Sequence, residues 1–191
     1  MSAALLVIDV QQSFEHRPFW STVDLPAYQA NQLALIDACA AAAIPVVNIL
    51  HVSPEGVFAK ASGWVWPMQF LRHQPAATFE KGVHNALTDS GLLAWLAARH
   101  IKRLIISGMR TEQCCETTAR VGADLGFAIE FVTDATLTFA MQGPDGRYYS
   151  ASEIQARTEL VLAQRFARLW TTAALCATLQ ANPNALETCH A

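Results

Sequence analysis

Two adjacent cysteines, Cys114 and Cys115, follow an apolar run that ends at Gly108 and a short turn. This order is typical of a strand, a tight turn and the start of a helix, where open α/β folds place their chemistry. A cysteine there can act as a nucleophile, because the thiolate is the attacking form of a thiol. The stretch 105–118 is therefore the first candidate for a catalytic segment.

The position of Cys114 at a predicted helix start bears on its ionisation. Thr111 is a good N-cap residue, which would place Glu112, Gln113 and Cys114 in the first helical turn. Unpaired backbone N–H groups and the helix dipole favour an anion there, so we expect a lowered thiol pKa. A fall of about two units needs roughly 2.7 kcal/mol, whereas a helix end supplies at most about 2 kcal/mol. A cationic neighbour is therefore expected.

Only one of the two cysteines can face such a site, because adjacent helical residues point about 100° apart. Cys115 lies in line with a stripe of small residues that begins at Ala119 and ends at Gly126. That stripe suits close packing on a sheet, which leaves Cys114 to face the crevice. The alternative is that both thiols are small buried hydrophobic groups, as free cysteines usually are.

Two further reactive groups come at the ends of predicted strands. The run 3–10 is continuously apolar, as in a buried parallel strand, and it contains Asp9 near its end. The stretch 78–81 has the pattern of a short strand that brings Lys81 to the sheet edge. In the same crevice as the cysteine, Asp9 can act as a base. The alternatives are a turn or cap role for Asp9 and a solvated surface position for Lys81.

The rest of the chain alternates predicted strands with predicted helices, which is typical of an α/β fold. Further strands are predicted at 44–51, 103–107, 128–133 and 167–171, and helices at 26–43, 89–100, 112–126 and 152–166. Asp134 is predicted to be a turn residue, 141–147 a loop, and the residues from 180 onward a loose tail.

Composition narrows the class of protein. The 191 residues suit one domain, 1–191, and 52% hydrophobic with 15% charged content argues against disorder. A net charge of −3 without a basic run gives no reason to expect a nucleic-acid partner. Without a long apolar run or a signal-peptide pattern, we expect no membrane partner and a cytoplasmic protein. Five cysteines without regular C-x-x-C spacing favour reduced thiols over a disulfide scaffold or a structural zinc site.

The stretch 52–78 is irregular, with three prolines, two glycines, and Trp64 and Trp66 close together. Such a long loop more often carries function than regular packing. The tryptophans suit the wall of a substrate pocket or a lid, as do Phe14 and Trp20 elsewhere in the chain. They suit an oligomer interface equally well.

The segments that carry Asp9, Lys81 and Cys114 resemble the isochorismatase-like cysteine hydrolase superfamily. That superfamily includes isochorismatases, nicotinamidases and N-carbamoylsarcosine amidase. The resemblance covers about 4–172 and is carried by LLVIDVQQSF, FEKGVHNAL and SGMRTEQCCETTARVGADLGF, followed by VTDA. Three segments in the right order and spacing are far more specific than any one of them.

The resemblance implies three α-β-α layers around a Rossmann-like, six-stranded parallel sheet of order 3-2-1-4-5-6. It also implies a triad in which Asp9 takes the thiol proton, Lys81 supplies the expected cation and Cys114 attacks. Relatives similar to this chain carry a cis peptide at the place of Met109–Arg110. The backbone N–H groups of Arg110 and Cys114 would then form an oxyanion hole. A homo-oligomer, either a dimer or a tetramer, is expected as well.

The implied reaction is hydrolysis of a C–N bond in a small amide or ureido-type substrate through a thioester intermediate. The predicted substrate-binding residues are Gln11, Phe14, Trp20, His51, Trp64, Trp66 and Arg110. Two alternatives remain. One is hydrolysis of a vinyl ether, as isochorismatases perform, and the other is a non-catalytic interaction or scaffold protein that keeps the fold.

The chain departs from the pattern of relatives at three places, one of which is Cys115 in place of a common valine. Nicotinamidases bind a metal through an Asp and histidines just after the second strand, where this chain reads NILHVSPEG. His51 has no Asp-x-His companion, so no metal or other cofactor is predicted, and a hydrogen-bonded pocket residue is the better interpretation. Arg110 stands where many relatives have a small residue. It can meet a substrate carboxylate through two hydrogen bonds, and its alternative is a surface arginine.

Overall fold

The N-terminal apolar run forms strand β1 (Ser2–Ile8), which lies at the centre of the sheet and is buried on both faces. The computed structural model of the protein describes residues 2–182 and 185–188. Residues 3, 5 and 7 of β1 lie in one hydrophobic core, and residues 4, 6 and 8 lie in the other. Both sets must be apolar, which is why the run is continuous rather than alternating.

Five parallel strands join β1 in one sheet. They are β2 (Val46–His51), β3 (Ala77–Lys81), β4 (Ile101–Met109), β5 (Ala128–Leu137) and β6 (Arg168–Trp170). Their spatial order is β3-β2-β1-β4-β5-β6, so the predicted fold class and strand order are confirmed. The order reverses between β1 and β4, and the carboxyl ends of these two strands therefore flank the crevice where such folds bind ligands.

Helices cover both faces of the sheet and give the three predicted layers. One face carries α1 (Leu25–Ala41), α5 (Thr172–Ala181) and the short α6 (Ala185–Thr188). The other carries α2 (Leu92–Ala98), α3 (Glu116–Asp124) and α4 (Ala151–Leu162). None of the helices within residues 2–182 and 185–188 combines the length and the apolar character that a bilayer crossing requires.

Three predictions about the C-terminal half are wrong. Residues 180–181 end α5, and α6 buries Leu186 against the core, so these parts of the chain are not a loose tail. The predictions for 183–184 and 189–191 lie outside the described residues. The supposed loop 141–147 begins with a strand, Met141–Gln142, that pairs with Tyr148–Tyr149.

Asp134 lies within β5 and not in a turn after it. Its Oδ1 accepts hydrogen bonds from the backbone N–H and the hydroxyl of Thr172, both at 2.7 Å. These bonds anchor the first residue of α5 to the sheet. A short polar side chain after a strand is typical of a turn, which is why the sequence predicts a turn residue. Here the carboxylate oxygen instead accepts a backbone N–H that would be unpaired at the start of α5.

Gly108 lies on β4 opposite Ile8 of the parallel strand β1, and its φ is +120°. A Cβ added there would lie 2.0 Å from the carbonyl oxygen of Ile8. We therefore expect Gly108→Ala to lower the free energy of unfolding by about 3 kcal/mol or more, because strain and overlap with backbone act together. Denaturant unfolding measures the loss. Gly126→Ala is the matched control, since its φ is +83° but nothing lies within 4 Å of the added Cβ; it should lose about 1 kcal/mol. Equal losses would contradict the steric explanation.

Candidate active site

Asp9 follows β1 directly and adopts a left-handed conformation, with φ of +53°. Its backbone N–H donates to the carbonyl of Ile49 at 2.8 Å, which ties the turn to β2. Aspartate tolerates this conformation better than most residues do, and residues held in it cluster at functional sites. The Asp9 side chain is buried, so its carboxylate requires a partner.

That partner is Lys81, the last residue of β3. Its Nζ donates to Asp9 Oδ2 at 2.8 Å, and both side chains are at most 1% exposed. Burial lowers the pKa of Lys81, but the Asp9 carboxylate, Cys114 and the hydrogen bonds to both outweigh burial and raise it. Lys81 is therefore a buried cation at neutral pH. The alternative of a solvated surface lysine is wrong.

Cys114 lies in a single π-helical turn, Thr111–Cys115, that precedes α3. Its Sγ accepts a hydrogen bond from Lys81 Nζ at 3.4 Å, and its side chain is 7% exposed. Cys115 is fully buried and packs with Ala119, as the small-residue stripe predicts. The structure therefore brings together the carboxylate, ammonium and thiol that the sequence places far apart, while their catalytic roles stay a prediction.

The pKa of the Cys114 thiol is raised, which is opposite to the expectation from a helix start. Burial is the largest cause, the Asp9 carboxylate adds to it, and Lys81 opposes both. Cys114 precedes the first turn of α3, and Thr111 does not cap a helix. The Thr111 hydroxyl bonds to that of Thr136 at 2.8 Å instead. Burial and the Asp9 carboxylate therefore favour the protonated thiol over the thiolate.

The two oxygens of Asp9 differ in their contacts. Oδ2 is held by Lys81, whereas Oδ1 is buried and has no hydrogen-bond partner among the described residues. The Asp9 carboxylate nevertheless interacts with the Cys114 thiol and raises its pKa. A carboxylate in this position can accept the thiol proton when the sulfur attacks.

Comparisons with known proteins identify the family of this chain. Residues 3–173 match the family described as Isochorismatase domain. Nicotinamidase 3 of Arabidopsis thaliana is 33% identical over 153 residues, which cover 72% of this chain and 74% of that protein. The chain belongs to the isochorismatase family. An uncharacterised isochorismatase family protein of Bacillus subtilis is 26% identical over 88% of this chain and 91% of its own length.

Solved structures of the isochorismatase family share the whole fold. A candidate isochorismatase of Burkholderia xenovorans is 32% identical, with a TM-score of 0.85 and coverage of 94% of this chain and 88% of that one. An N-carbamoylsarcosine amidase of Thermoplasma acidophilum has the same fold at 17% identity, with a TM-score of 0.69 and coverage of 90% and 97%. The protein is thus an isochorismatase-family hydrolase, and the scaffold alternative loses its support.

The turn that carries Cys114 is built around the backbone of Arg110. The Met109–Arg110 peptide is cis, as expected from the isochorismatase family. The carbonyl of Arg110 accepts the N–H groups of Gln113 at 3.1 Å and Cys115 at 3.2 Å. These bonds curl the chain so that Cys114 faces Lys81. An oxyanion hole formed by the N–H groups of Arg110 and Cys114 stays a prediction.

The side chain of Arg110 lies inside the protein, with 6% exposed. Its Nη2 is 3.0 Å from Glu112 Oε1, and its guanidinium carbon is 4.6 Å from the centre of the Phe19 ring and 5.8 Å from that of Phe139. The ion pair between Nη2 and Glu112 does not have the alignment of a hydrogen bond. Neither Nη2 nor Nε therefore has a hydrogen-bond partner within residues 2–182 and 185–188. The alternative of a surface arginine is wrong, and the contact of Arg110 with a substrate stays a prediction.

The side-chain amide of Gln11 bonds within the protein. Its Oε1 accepts from the backbone N–H of His51 at 2.7 Å, and its Nε2 donates to the His51 carbonyl at 3.1 Å and to the Ser13 hydroxyl at 3.0 Å. Both ends of the buried amide are occupied. Gln11 therefore holds the end of β2, and its predicted contact with the substrate stays a prediction.

The predicted pocket residue His51 is half-buried, and its Nδ1 is 3.3 Å from Lys81 Nζ. Nicotinamidases of this family use the corresponding region for a metal ion, but here an ammonium faces the ring nitrogen. Within the described parts of the chain, no three His, Cys, Asp or Glu side chains converge as a metal site requires. These residues do not fit such an ion, and no step is assigned to one.

Phe14 and Trp20 belong to an aromatic cluster near Arg110. Phe14 contacts the rings of Phe19 at 6.4 Å and Phe58 at 5.1 Å, and Trp20 contacts Phe139 at 5.3 Å. Sequence reasoning does not identify Phe19, Phe58 and Phe139, because separate loops carry them and only the fold brings them together. The cluster forms an apolar wall beside Arg110, which directly precedes the turn Thr111–Cys115.

Trp64 and Trp66 do not join this wall. Their side chains are 41% and 65% exposed, and Trp64 stacks on His16 with 3.9 Å between ring centres. Their backbone carbonyls hold the loop in place by accepting the Ser13 hydroxyl and the Gln12 N–H, both at 2.9 Å. Roles for these rings in a pocket wall, a lid or an oligomer interface stay predictions.

Proposed function

We propose that this isochorismatase-family hydrolase cleaves the C–N bond of a small amide or ureido-type substrate through a thioester on Cys114. The observation that carries the proposal is the buried Lys81 ammonium, which contacts both the Asp9 carboxylate and the Cys114 sulfur. An ammonium beside the thiol stabilises the thiolate that attacks, and the adjacent carboxylate accepts its proton. The relative named nicotinamidase and the fold neighbour named N-carbamoylsarcosine amidase both support amide chemistry.

The first half-reaction transfers the acyl group to the enzyme. The Cys114 S–H proton passes to Asp9 while Sγ bonds to the substrate carbonyl carbon. The C–N bond then breaks, and the proton on Asp9 moves to the departing amine. Lys81 stabilises negative charge on Sγ during attack, and the N–H groups of Arg110 and Cys114 would stabilise it on the oxygen.

The second half-reaction is hydrolysis of the thioester. Asp9 takes a proton from a water molecule as the water oxygen bonds to the carbonyl carbon. The C–S bond then breaks, the acid leaves, and Sγ takes the proton back from Asp9. A thiol with a raised pKa recovers its proton readily, so the neutral resting state is restored.

The proposal also assigns Arg110 to an oxygen of the substrate. Its Nε and Nη2 are buried donors without a hydrogen-bond partner in the described structure. Glu112 already balances much of the guanidinium charge, so either a carboxylate or a carbonyl oxygen can meet these donors. The rings of Phe19 and Phe139 beside Arg110 suit an apolar substrate body.

A screen of small amides, hydroxamates and ureido compounds for release of ammonia or acid tests the proposal. Each amide that bears a carboxylate should be paired with its methyl ester, because the pair also tests the assignment of Arg110. We expect turnover of at least one amide and an acyl adduct on the Cys114 peptide after acid quenching. Failure of every amide, together with cleavage of a vinyl ether such as isochorismate, would overturn the proposal.

Asp9→Asn should accelerate alkylation of Cys114 by iodoacetamide while it abolishes amide hydrolysis. The Asp9 carboxylate raises the pKa of the thiol, and its removal leaves Lys81 to stabilise the thiolate. A several-fold faster alkylation in mildly alkaline buffer is expected, read by mass spectrometry of the Cys114 peptide. Asp124→Asn, at the exposed end of α3, is the matched control and should not change the rate. Slower alkylation in Asp9→Asn would count against a base at this position.

A further inference from the structure

The Lys81 ammonium has three N–H bonds and three acceptors. They are Asp9 Oδ2 at 2.8 Å, His51 Nδ1 at 3.3 Å and Cys114 Sγ at 3.4 Å. Because the Lys81 side chain is 0% exposed, loss of any acceptor would leave a buried charged donor unpaired. Two of the acceptors take part in the proposed reaction. The third, His51, has no role in it so far.

Several contacts fix His51 beside Lys81. The two residues are partners in the parallel register of β2 and β3, so their side chains leave the sheet on the same face. Gln11 holds the His51 backbone at both its N–H and its carbonyl. The imidazole packs edge-on against Phe58, with 5.5 Å between ring centres. The ring nitrogen is therefore held in place before any substrate arrives.

The contact defines the protonation state of the ring. An ammonium can only donate, so Nδ1 of His51 must be unprotonated and the neutral ring carries its proton on Nε2. Burial lowers the pKa of His51 most, and the charge of Lys81 lowers it further. The charge of His84 also lowers the pKa of His51, whereas the Asp9 carboxylate and a hydrogen bond to the Val83 backbone raise it. The net pKa is lowered, which favours the neutral ring.

We propose that His51 is a positioning residue whose Nδ1 takes the third N–H of Lys81 and so keeps the other two directed at the acid and the thiol. A neutral acceptor suits this task, because a second carboxylate would compete with the thiolate for the ammonium. The catalytic consequence rests on the proposed cysteine hydrolase function, whereas the contact itself does not.

The proposal predicts a loss of reactivity in acid. Protonation of His51 removes the acceptor and places a second cation against Lys81. Since the pKa of His51 is lowered, the contact is complete at neutral pH and is lost only below the ordinary histidine value of about 6.5. The titratable or charged groups that face the ring are Lys81 on β3, Asp9 after β1 and His84 after β3.

Two substitutions of His51 distinguish the effect of its hydrogen-bond acceptor from the effect of its titratable ring. In His51→Asn an amide oxygen can take the place of Nδ1 and does not titrate, whereas His51→Leu fills the space without an acceptor. The rate of Cys114 alkylation by iodoacetamide is the readout, because it needs no substrate. In mildly alkaline buffer we expect His51→Leu to react about tenfold more slowly and His51→Asn to stay within about threefold of wild type.

The acid range distinguishes positioning from mere packing. Wild type should lose alkylation rate below about pH 6.5 more steeply than thiol ionisation alone requires. His51→Asn should lack this extra loss, and the control His84→Gln should keep it. Wild-type and His51→Asn profiles that superimpose in acid overturn the proposal, and this comparison holds even if His51→Leu does not fold.

Long-range ¹H–¹⁵N spectra of labelled protein read the tautomer directly, with His51→Asn identifying the signals. We expect an unprotonated Nδ1 and a protonated Nε2, with a midpoint below about pH 6.5. A proton on Nδ1 at neutral pH contradicts the proposal. If these results hold while no amide is hydrolysed, the proposed function fails and the positioning contact stands.

Discussion

Cys114→Ala is expected to lower kcat/KM for amide hydrolysis by about 10⁴-fold or more and to eliminate the acyl adduct. Only the Cys114 sulfur can form the thioester. The variant therefore keeps only the rate acceleration that comes from substrate binding and any oxyanion stabilisation. The substitution removes one atom from a side chain that is 7% exposed. The loss of folding stability should therefore be small, about 1–2 kcal/mol. Steady-state release of ammonia and denaturant unfolding measure the two effects.

Cys115→Ala is the matched control, because it makes the same chemical change one residue further along. Cys115 is fully buried and packs in the core with Ala119, so the control should lose about 1–2 kcal/mol of stability. Its activity should stay within a few-fold of wild type. If Cys114→Ala instead kept amide hydrolysis, or if it cleaved a vinyl ether as fast as wild type, the thioester route would be wrong. The isochorismatase-type reaction, which some relatives perform without the cysteine as nucleophile, would then be favoured.

The sheet could be predicted because its strands carry their own signal. A central strand such as β1 is apolar at every position, since both its faces are buried. Alternation of strands and helices then favours a parallel α/β sheet with right-handed crossovers, whereas the strand order is implied by the resemblance to the isochorismatase-like superfamily. Asp9 and Lys81 come at strand ends and so could be placed at one edge from the sequence. Their meeting at 2.8 Å depends on register, which the sequence pattern does not specify.

The pKa of Cys114 could not be predicted, because the conformation of the turn Thr111–Cys115 depends on tertiary contacts. An ordinary helix capped by Thr111 was the local preference, but the carbonyl of Arg110 accepts the N–H of Cys115, five residues on, in a π-type turn. A contact with Thr136 on β5 takes the Thr111 hydroxyl that would otherwise cap. Tertiary contacts override helix preference here. The resulting burial of Cys114 raises the pKa of the thiol that a capped helix would lower.

The surroundings of single residues are also hard to predict where several loops meet. Arg110 suggests either a surface position or a contact with a substrate carboxylate. The surface position is wrong, because the side chain is buried against Phe19 and Phe139 and pairs with Glu112. Each of these neighbours is ordinary in sequence. Their arrangement around a guanidinium follows from loop conformations, which carry no periodic signal. The same reasoning applies to Gln11, whose amide is used by the end of β2.

Lys81→Met is expected to lower the free energy of unfolding by about 3–5 kcal/mol and to abolish hydrolysis. Methionine fills the space of the lysine stem, but it leaves the Asp9 carboxylate buried without a counter-ion. Asp9 Oδ1 already has no hydrogen-bond partner among the described residues, so the substitution leaves both oxygens unpaired. Denaturant unfolding and the amide assay measure the two losses.

The double variant Asp9→Asn with Lys81→Met separates charge burial from catalysis. It replaces the ion pair by two neutral groups and should recover most of the lost stability, whereas hydrolysis should stay absent because the base and the cation are both gone. Lys60→Met is the control, because it breaks an ion pair with Glu80 on the surface. The side chains of Lys60 and Glu80 are 65% and 45% exposed. This substitution should cost less than about 1 kcal/mol and leave activity unchanged. If Lys81→Met cost no more than Lys60→Met, the Lys81–Asp9 pair would not be desolvated as the structure shows. Activity in the double variant would mean that the acid and the ammonium are not needed for the chemistry on Cys114.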